Sequence, residues 1–319
     1  MKIFTNPNFD FVRWRWHALA LSLLIVLAGG YLIATRGLQK GVDFEGGTIV
    51  ILKFSEDPDL NRITAALGGD AVVQRYGEPE NRDVMIRVRR VGEESGGDLS
   101  REVGRIIATL KAANLGAFNE TPVGTEIVGP VVGEQLRRQG IWATVLAMGG
   151  ILVYIALRFQ FSFAVGAVVA TLHDLLVCLA FLAFFRYDMT LNVVAGLLTI
   201  TGYSVNDTIV IFDRVRENMR SMRRDNLTKI VNTAVNQTLS RTVITAGTTL
   251  LSVTALYLYG GEVLEGFAFT MLVGIISGTY STVFIASATA ILLQGRKPLK
   301  GQPAAASPSA TRPSKRRAS

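Results

Sequence analysis

The 319-residue chain has one cysteine, Cys178, and two histidines. A single cysteine cannot close a disulfide within the chain, whatever compartment it faces. So few thiols and imidazoles supply no ligand set for a zinc site. No Walker-type phosphate loop and no nucleophile–base set can be found, so the sequence does not point to an enzyme, to ATP or to an organic cofactor. Charge is also scarce: 18% of residues are charged, 49% are hydrophobic, and the mean hydropathy is +0.34. That balance fits an integral membrane protein better than a soluble domain.

What is present in quantity is long apolar runs. Six stretches, at 17–35, 140–157, 161–185, 189–212, 242–259 and 266–293, are long enough to span a bilayer. At ~1.5 Å per residue, each covers about the ~30 Å of hydrocarbon. The first follows Arg13 and Arg15, is long for a secretory signal and lacks a small-residue cleavage pattern. It reads as a retained signal-anchor. The net charge of +8 raises the question of nucleic acid, but the distribution of charge argues against it. Residues 36–138 are mildly acidic, and the basic residues gather in the arm 1–16, the segment 213–241 and the tail 295–319. Six spans place those three segments on one side, which the positive-inside rule makes the cytoplasm. Both termini are then cytoplasmic, residues 36–138 lie outside, and the basic charge reads as a mark of topology, with contact to anionic membrane lipid or the ribosome second to it and no nucleic acid expected.

The outer segment alternates strand-like and helix-like stretches. "GTIVILKF" (47–54), "AVVQRY" (71–76), "DVMIRVRR" (83–90) and "VGTEIVGP" (123–130) read as strands. "DLNRITAALGG" (59–69), opened by an aspartate cap, and "SREVGRIIATLKAAN" (100–114) read as helices. The order β-α-β-β-α-β predicts a small ferredoxin-like α+β domain at 36–138. It follows the helix at 17–35 and precedes a bundle at 139–294 whose cytoplasmic loop is 213–241. The tail 295–319, "KPLKGQPAAASPSATRPSKRRAS" from Lys297 onward, is rich in Ala, Pro and Ser and reads as disordered.

Inside the spans, polar and small residues recur at helical steps: Asn192, Gly196, Thr199, Tyr203 and Asn206 in the fourth, Arg241, Thr245, Thr248 and Ser252 in the fifth, and Thr270, Gly274, Ser277 and Ser281 in the sixth. Most such positions serve close packing of membrane helices. Asp207 is different. An ionised carboxylate in hydrocarbon costs ~2.5–3.5 kcal/mol even on the lenient insertion scale, so it is paired, protonated or wet. Arg241, at the inner end of the next span, is placed to meet it. A static ion pair and a proton relay are both open. His173 and Asp174 in the third span either extend such a relay or cap polar packing, and Asn206 adjoins Asp207.

"GVDFEGGT" (41–48), "TLHDLLV" (171–177), "TGYSVNDTIVIFDRVREN" (201–218) and "SRTVITAGTT" (240–249) resemble segments of the SecD/SecF family, on its SecF side. The likeness covers nearly the whole chain except the tail. It implies a six-helix half of a resistance-nodulation-division-like core in the bacterial inner membrane. The implied partners are SecD, the SecYEG channel, YajC and translocating preproteins, and the coupling ion is the proton. It further implies that Asp207 and Arg241 take part in proton conduction. The family motif falls on Gly41, Val42, Asp43, Phe44, Glu45, Gly46 and Gly47, whose glycines read as the turn into the first outer strand. Two other readings remain: a half-transporter exporting lipid or small molecules, and a non-conducting scaffold of the export channel.

Overall fold

The structure, a computed structural model, describes residues 7–68, 71–77, 79–88, 99–128 and 130–294. The tail 295–319 lies outside the described residues. A single 3₁₀ turn, Val12–Trp14, leads into α1 (Arg15–Arg36). The outer segment follows as α2 (Val42–Glu45), β1 (Gly47–Lys53), α3 (Leu60–Leu67), β2 (Ala71–Tyr76), β3 (Asp83–Val88), α4 (Leu99–Ala112) and β4 (Gly124–Val128). The bundle then continues as α5 (Pro130–Arg158), α6 (Phe161–Phe185), α7 (Leu191–Ser221), α8 (Leu227–Tyr259) and α9 (Glu262–Ser281), the last running through a π-helical turn, Thr282–Ala286, into α10 (Ser287–Gln294). Among the described residues, six helical stretches are long and apolar enough to cross a membrane.

The four strands form one sheet in the order β2-β3-β1-β4, each neighbouring pair antiparallel. β1 alternates as a half-covered strand should. Val50 and Leu52 are fully buried, opposite Ile86 and Val84 of β3, while Ile49 and Ile51 point to the other face. α3 and α4 cover the buried face with Ile63, Ile106 and Leu110. Asp59 starts α3 by accepting the N–H groups of Asn61 (3.0 Å) and Arg62 (3.3 Å), as its position predicts. The opposite face, with Ile51, Met85 and Arg87, looks onto the ends of α6, α7 and α9 across a cleft of about 590 Å³.

The segment 213–241, expected as a cytoplasmic loop, is helical except for a turn at 222–226. α7 runs on to Ser221, and α8 starts at Leu227 with Asn226 capping Lys229 N at 2.8 Å. The polar composition there marks a helical hairpin beyond the apolar layer, with one face packed: Ile230, Val231 and Ala234 are buried. Asn232 and Asn236 of this hairpin bind the Phe9 carbonyl at 3.0 and 2.8 Å, tying the N-terminal arm to α8.

The bundle has an inner trio and outer helices. About half of the apolar windows of α6 and α9–α10 is buried within the chain, against 6% for α5 and 11% for α8. α7 and α9 meet along a four-residue repeat: Gly196 faces Thr270, Ile200 faces Gly274 and Ser204 faces Gly278. Interdigitation of rows spaced by four brings the two backbones close. A methyl at Gly274 would fall inside the Cβ and Cγ1 atoms of Ile200, whereas one at Gly149 of α5 meets nothing within 4 Å. Overpacking of that kind costs ~1–3 kcal/mol. Gly274→Ala should therefore lower the melting temperature in detergent by several degrees, at ~2–4 °C per kcal/mol for a chain of this size. Gly149→Ala should leave it unchanged. Equal melting of the two variants would mean that the α7–α9 crossing is not tight.

Candidate functional site

Asp174 lies at the centre of the inner trio and is 2% exposed. Its Oδ2 accepts from Ser204 Oγ of α7 at 2.5 Å and from Ser281 Oγ of α9 at 2.7 Å. Its Oδ1 accepts from Ser277 Oγ at 2.7 Å, with His173 Nδ1 at 3.1 Å. Three serine hydroxyls thus donate to the carboxylate, and the His173 ring nitrogen stands at a fourth position. One turn below, Thr208 Oγ1 meets Thr282 Oγ1 at 3.0 Å, at the start of the π-helical turn. In the sequence the His173–Asp174 pair and the line holding Ser277 and Ser281 stand as two separate features; the fold joins them. The sequence reading misses Ser204, which falls off the stripe traced through Asn192, Gly196, Thr199, Tyr203 and Asn206. Of that stripe only Gly196 is fully buried, and Thr199 and Asn206 face outward. The line that packs, Gly196–Ile200–Ser204–Thr208, repeats at four residues and includes an isoleucine, so a search for polar residues passes over it.

Asp207 is half-buried on the side of α7 that meets α8. Its Oδ1 accepts from Thr242 Oγ1 at 3.0 Å, and its Oδ2 is buried without a hydrogen-bond partner. Arg241 is the partner expected for Asp207; its hydrogen-bond donor across the α7–α8 contact is instead Thr242. Among the described residues no salt bridge joins Asp207 to Arg241, whose side chain is exposed on α8. Thr245, Thr248 and Ser252, on the same side of α8, are exposed as well, so this polar line faces away from the chain's own core. Asn206 lines a shallow groove with Gly202 of α7 and Leu146 and Gly150 of α5. Further toward the C-terminal end of α7, Asp213 pairs with Arg158 at 3.1 Å and Arg214 binds Gln237 and Glu217. Among the described residues, no group of three His, Cys, Asp or Glu is placed to hold a metal.

The motif at 41–47 sits where the outer segment meets the bundle. Gly41 N–H donates to the Met189 carbonyl at 2.7 Å, and a Cβ at Gly41 would stand against that same oxygen. Asp43 Oδ2 accepts the N–H of Leu191, the first residue of α7, at 2.8 Å. Gly46 and Gly47 have φ of +72° and +153°, and they turn the chain from α2 into β1 as expected. Outside the spans, burial and the hydrogen bond to Glu265 (2.6 Å) hold the Tyr187 phenol above its ordinary pKa.

Residues 109–296 match the family model described as protein export membrane protein SecD/SecF, C-terminal, and residues 31–58 match the SecD/SecF GG motif. The protein translocase subunit SecF of Rhodothermus marinus is 40% identical over 309 residues, covering 93% of this chain and 96% of that protein. The SecF subunit of Escherichia coli O157:H7 is 38% identical, covering 89% and 88%. The crystal structure of SecDF, a translocon-associated membrane protein from Thermus thermophilus, superposes with a TM-score of 0.78 at 33% identity over 91% of this chain. The chain spans 39% of that longer polypeptide.

The Asp174 cluster yields a direct test. Removing one donor to a buried carboxylate costs ~1.5–3 kcal/mol, and removing the carboxylate leaves several donors unmatched. Ser277→Ala should lower detergent stability by several degrees, and Asp174→Ala should lower it further and reduce accumulation in the membrane. Wild-type melting of Asp174→Ala would show that the cluster does not hold the trio together.

Proposed function

The chain belongs to the SecD/SecF family of protein-export membrane proteins, and we propose that it is the SecF-type half of a proton-driven export motor. In this reading it pairs with a SecD-type subunit, the two sets of six spans forming one resistance-nodulation-division-like core. The pair joins the SecYEG channel and YajC in the bacterial inner membrane and uses the proton-motive force to draw preproteins outward. Both termini lie in the cytoplasm. The outer segment, a ferredoxin-like domain from its strand order and directions, lies in the periplasm. The role is transport, and protons are the only coupling species it requires.

The observation that carries this reading is the half-satisfied state of Asp207. One carboxylate oxygen is held by Thr242, and the other is buried without a partner. A proton arriving at Oδ2 would supply the missing hydrogen there without breaking the Thr242 bond. Its loss would leave a charge for which Arg241, on the neighbouring turn of α8, is the available counter-ion. Loading and release therefore favour different α7–α8 contacts, which is the requirement for a ligand to shift a conformational equilibrium. One charge crossing 100 mV contributes ~2.3 kcal/mol, so a few protons can drive a useful stroke.

Inverted membrane vesicles provide the test, with wild type and Asp207→Asn compared at equal expression and equal association with the SecD-type partner. Gradient-dependent completion of a preprotein should be lost in Asp207→Asn and weakened in Arg241→Ala, while gradient-independent steps persist. Unchanged completion in Asp207→Asn would leave the aspartate a structural group and favour the scaffold reading.

A further inference from the structure

The outer domain meets the bundle at two places: α2 packs against the start of α5, and residues 39–43 are hydrogen-bonded to the N-terminal end of α7, the helix that carries Asp207. Three hydrogen bonds fasten residues 39–43 to residues 189–191. Met189 N–H donates to the Gln39 carbonyl at 2.7 Å, Gly41 N–H to the Met189 carbonyl at 2.7 Å, and Leu191 N–H to Asp43 Oδ2 at 2.8 Å. Only the last uses a side chain, and it places a carboxylate at the positive end of a 31-residue helix. Thr190 Oγ1 accepts Val193 N–H at 3.2 Å, so Asp43 and Thr190 together satisfy two of the first free N–H groups of α7. A salt bridge at 2.6 Å from Arg87 of β3 to Asp188, with side chains 14% and 22% exposed, clamps the sheet to the same loop.

On its other side Asp43 is wedged. A Cβ on Gly133, in the first turn of α5, would lie 3.3 Å from the Asp43 carbonyl oxygen and 3.0 Å from Gly46 N. From Asp43 the chain passes through one helical turn and the Gly46–Gly47 bend directly into β1. Asp207 stands sixteen residues along α7 from Leu191, about 24 Å at 1.5 Å per residue. No slack segment intervenes on either side of Asp43, so an axial shift or tilt of α7 reaches β1 through it.

We propose that Asp43 is the joint that couples the outer domain to α7, a positioning residue for the export stroke. The inference rests on the reading that protonation at Asp207 drives that stroke.

The test uses the full chain assembled with its SecD-type partner. Spin labels at Lys53→Cys and Leu258→Cys report the distance between the outer domain and the outer end of α8; Cys178, 1% exposed, leaves labelling to the introduced thiols. In Asp43→Ala the distance distribution should broaden. Gradient-driven preprotein completion should fall about tenfold, the factor set by loss of one charge-assisted hydrogen bond, while proton flux through the vesicles persists. Asp43→Asn keeps an acceptor oxygen in place and should return both readouts towards wild type. A narrow distribution with full completion in Asp43→Ala overturns the joint, and so does an Asp43→Asn variant as impaired as alanine. If Asp43→Ala fails to accumulate, Asp43→Ser, too short to reach the Leu191 N–H, is read in its place: a broadened distance with lost completion supports the joint, and wild-type distance with full completion overturns it. Full completion in Asp207→Asn would instead sink the proton-driven reading, and the label distances would still show whether Asp43 sets the position of the domain.

Discussion

Asp174 accepts hydrogen bonds from residues of three helices, and the arrangement of α6, α7 and α9 depends on that convergence. In a bilayer, lipid tails are as apolar as leucine, so helices gain little by hiding apolar faces from one another. Close backbone approach and interhelical hydrogen bonds then decide the packing. Here both act on the same pair: the glycines of α9 admit Ile200 and Ser204 of α7, and that approach brings Ser204 within reach of Asp174. A carboxylate in this setting is costly unless every lone pair is matched. Ser204, Ser277, Ser281 and His173 provide that match, which makes the inner trio one body.

The two intramembrane aspartates thus differ in kind. Asp174 is saturated with donors. Asp207, one turn beyond Ser204 on the same helix, has one oxygen bonded and one without a partner. A saturated carboxylate resists change because any shift breaks several bonds at once. A half-satisfied one has an alternative state within reach. Ser204 bonds α7 to Asp174 of α6, while Asp207 lies on the face that α7 turns to α8, so the two aspartates act on different helix contacts.

Much of this was legible in the sequence. Span number and approximate limits follow from hydropathy, and the order of the outer strands and helices follows from alternation and caps. The Thr270–Gly274–Ser277–Ser281 line of α9 was visible because all of its members are small or polar. The line of α7 was not, because Ile200 interrupts it and membrane packing rewards closeness rather than polarity. The segment 213–241 was read as loop because it is polar; a helix that leaves the lipid and packs on one side only has the same composition. Asp43 could be placed in a motif but not given a task, since its partner Leu191 lies 148 residues away and the bond is to a backbone N–H that carries no sequence signature. Thr242 escaped notice because Arg241, the charged neighbour, was the more conspicuous candidate.

Magnitudes explain why the outer joint has several bonds rather than one. A single proton crossing 100 mV supplies ~2.3 kcal/mol, and a hydrogen bond to a charged group contributes ~1.5–3 kcal/mol. Under the proposed function, a joint made of the Asp43 bond alone would be about as strong as a one-proton stroke. The two backbone bonds at Met189 and the half-buried Arg87–Asp188 pair raise the strength of the attachment above the work of one proton. They act on the same five-residue connection, 186–190, between α6 and α7. Among these contacts Asp43 alone bonds α7 itself, at its first residue. The other bonds hold the connection in place, and the Asp43 bond makes the movement of that helix the movement of the domain.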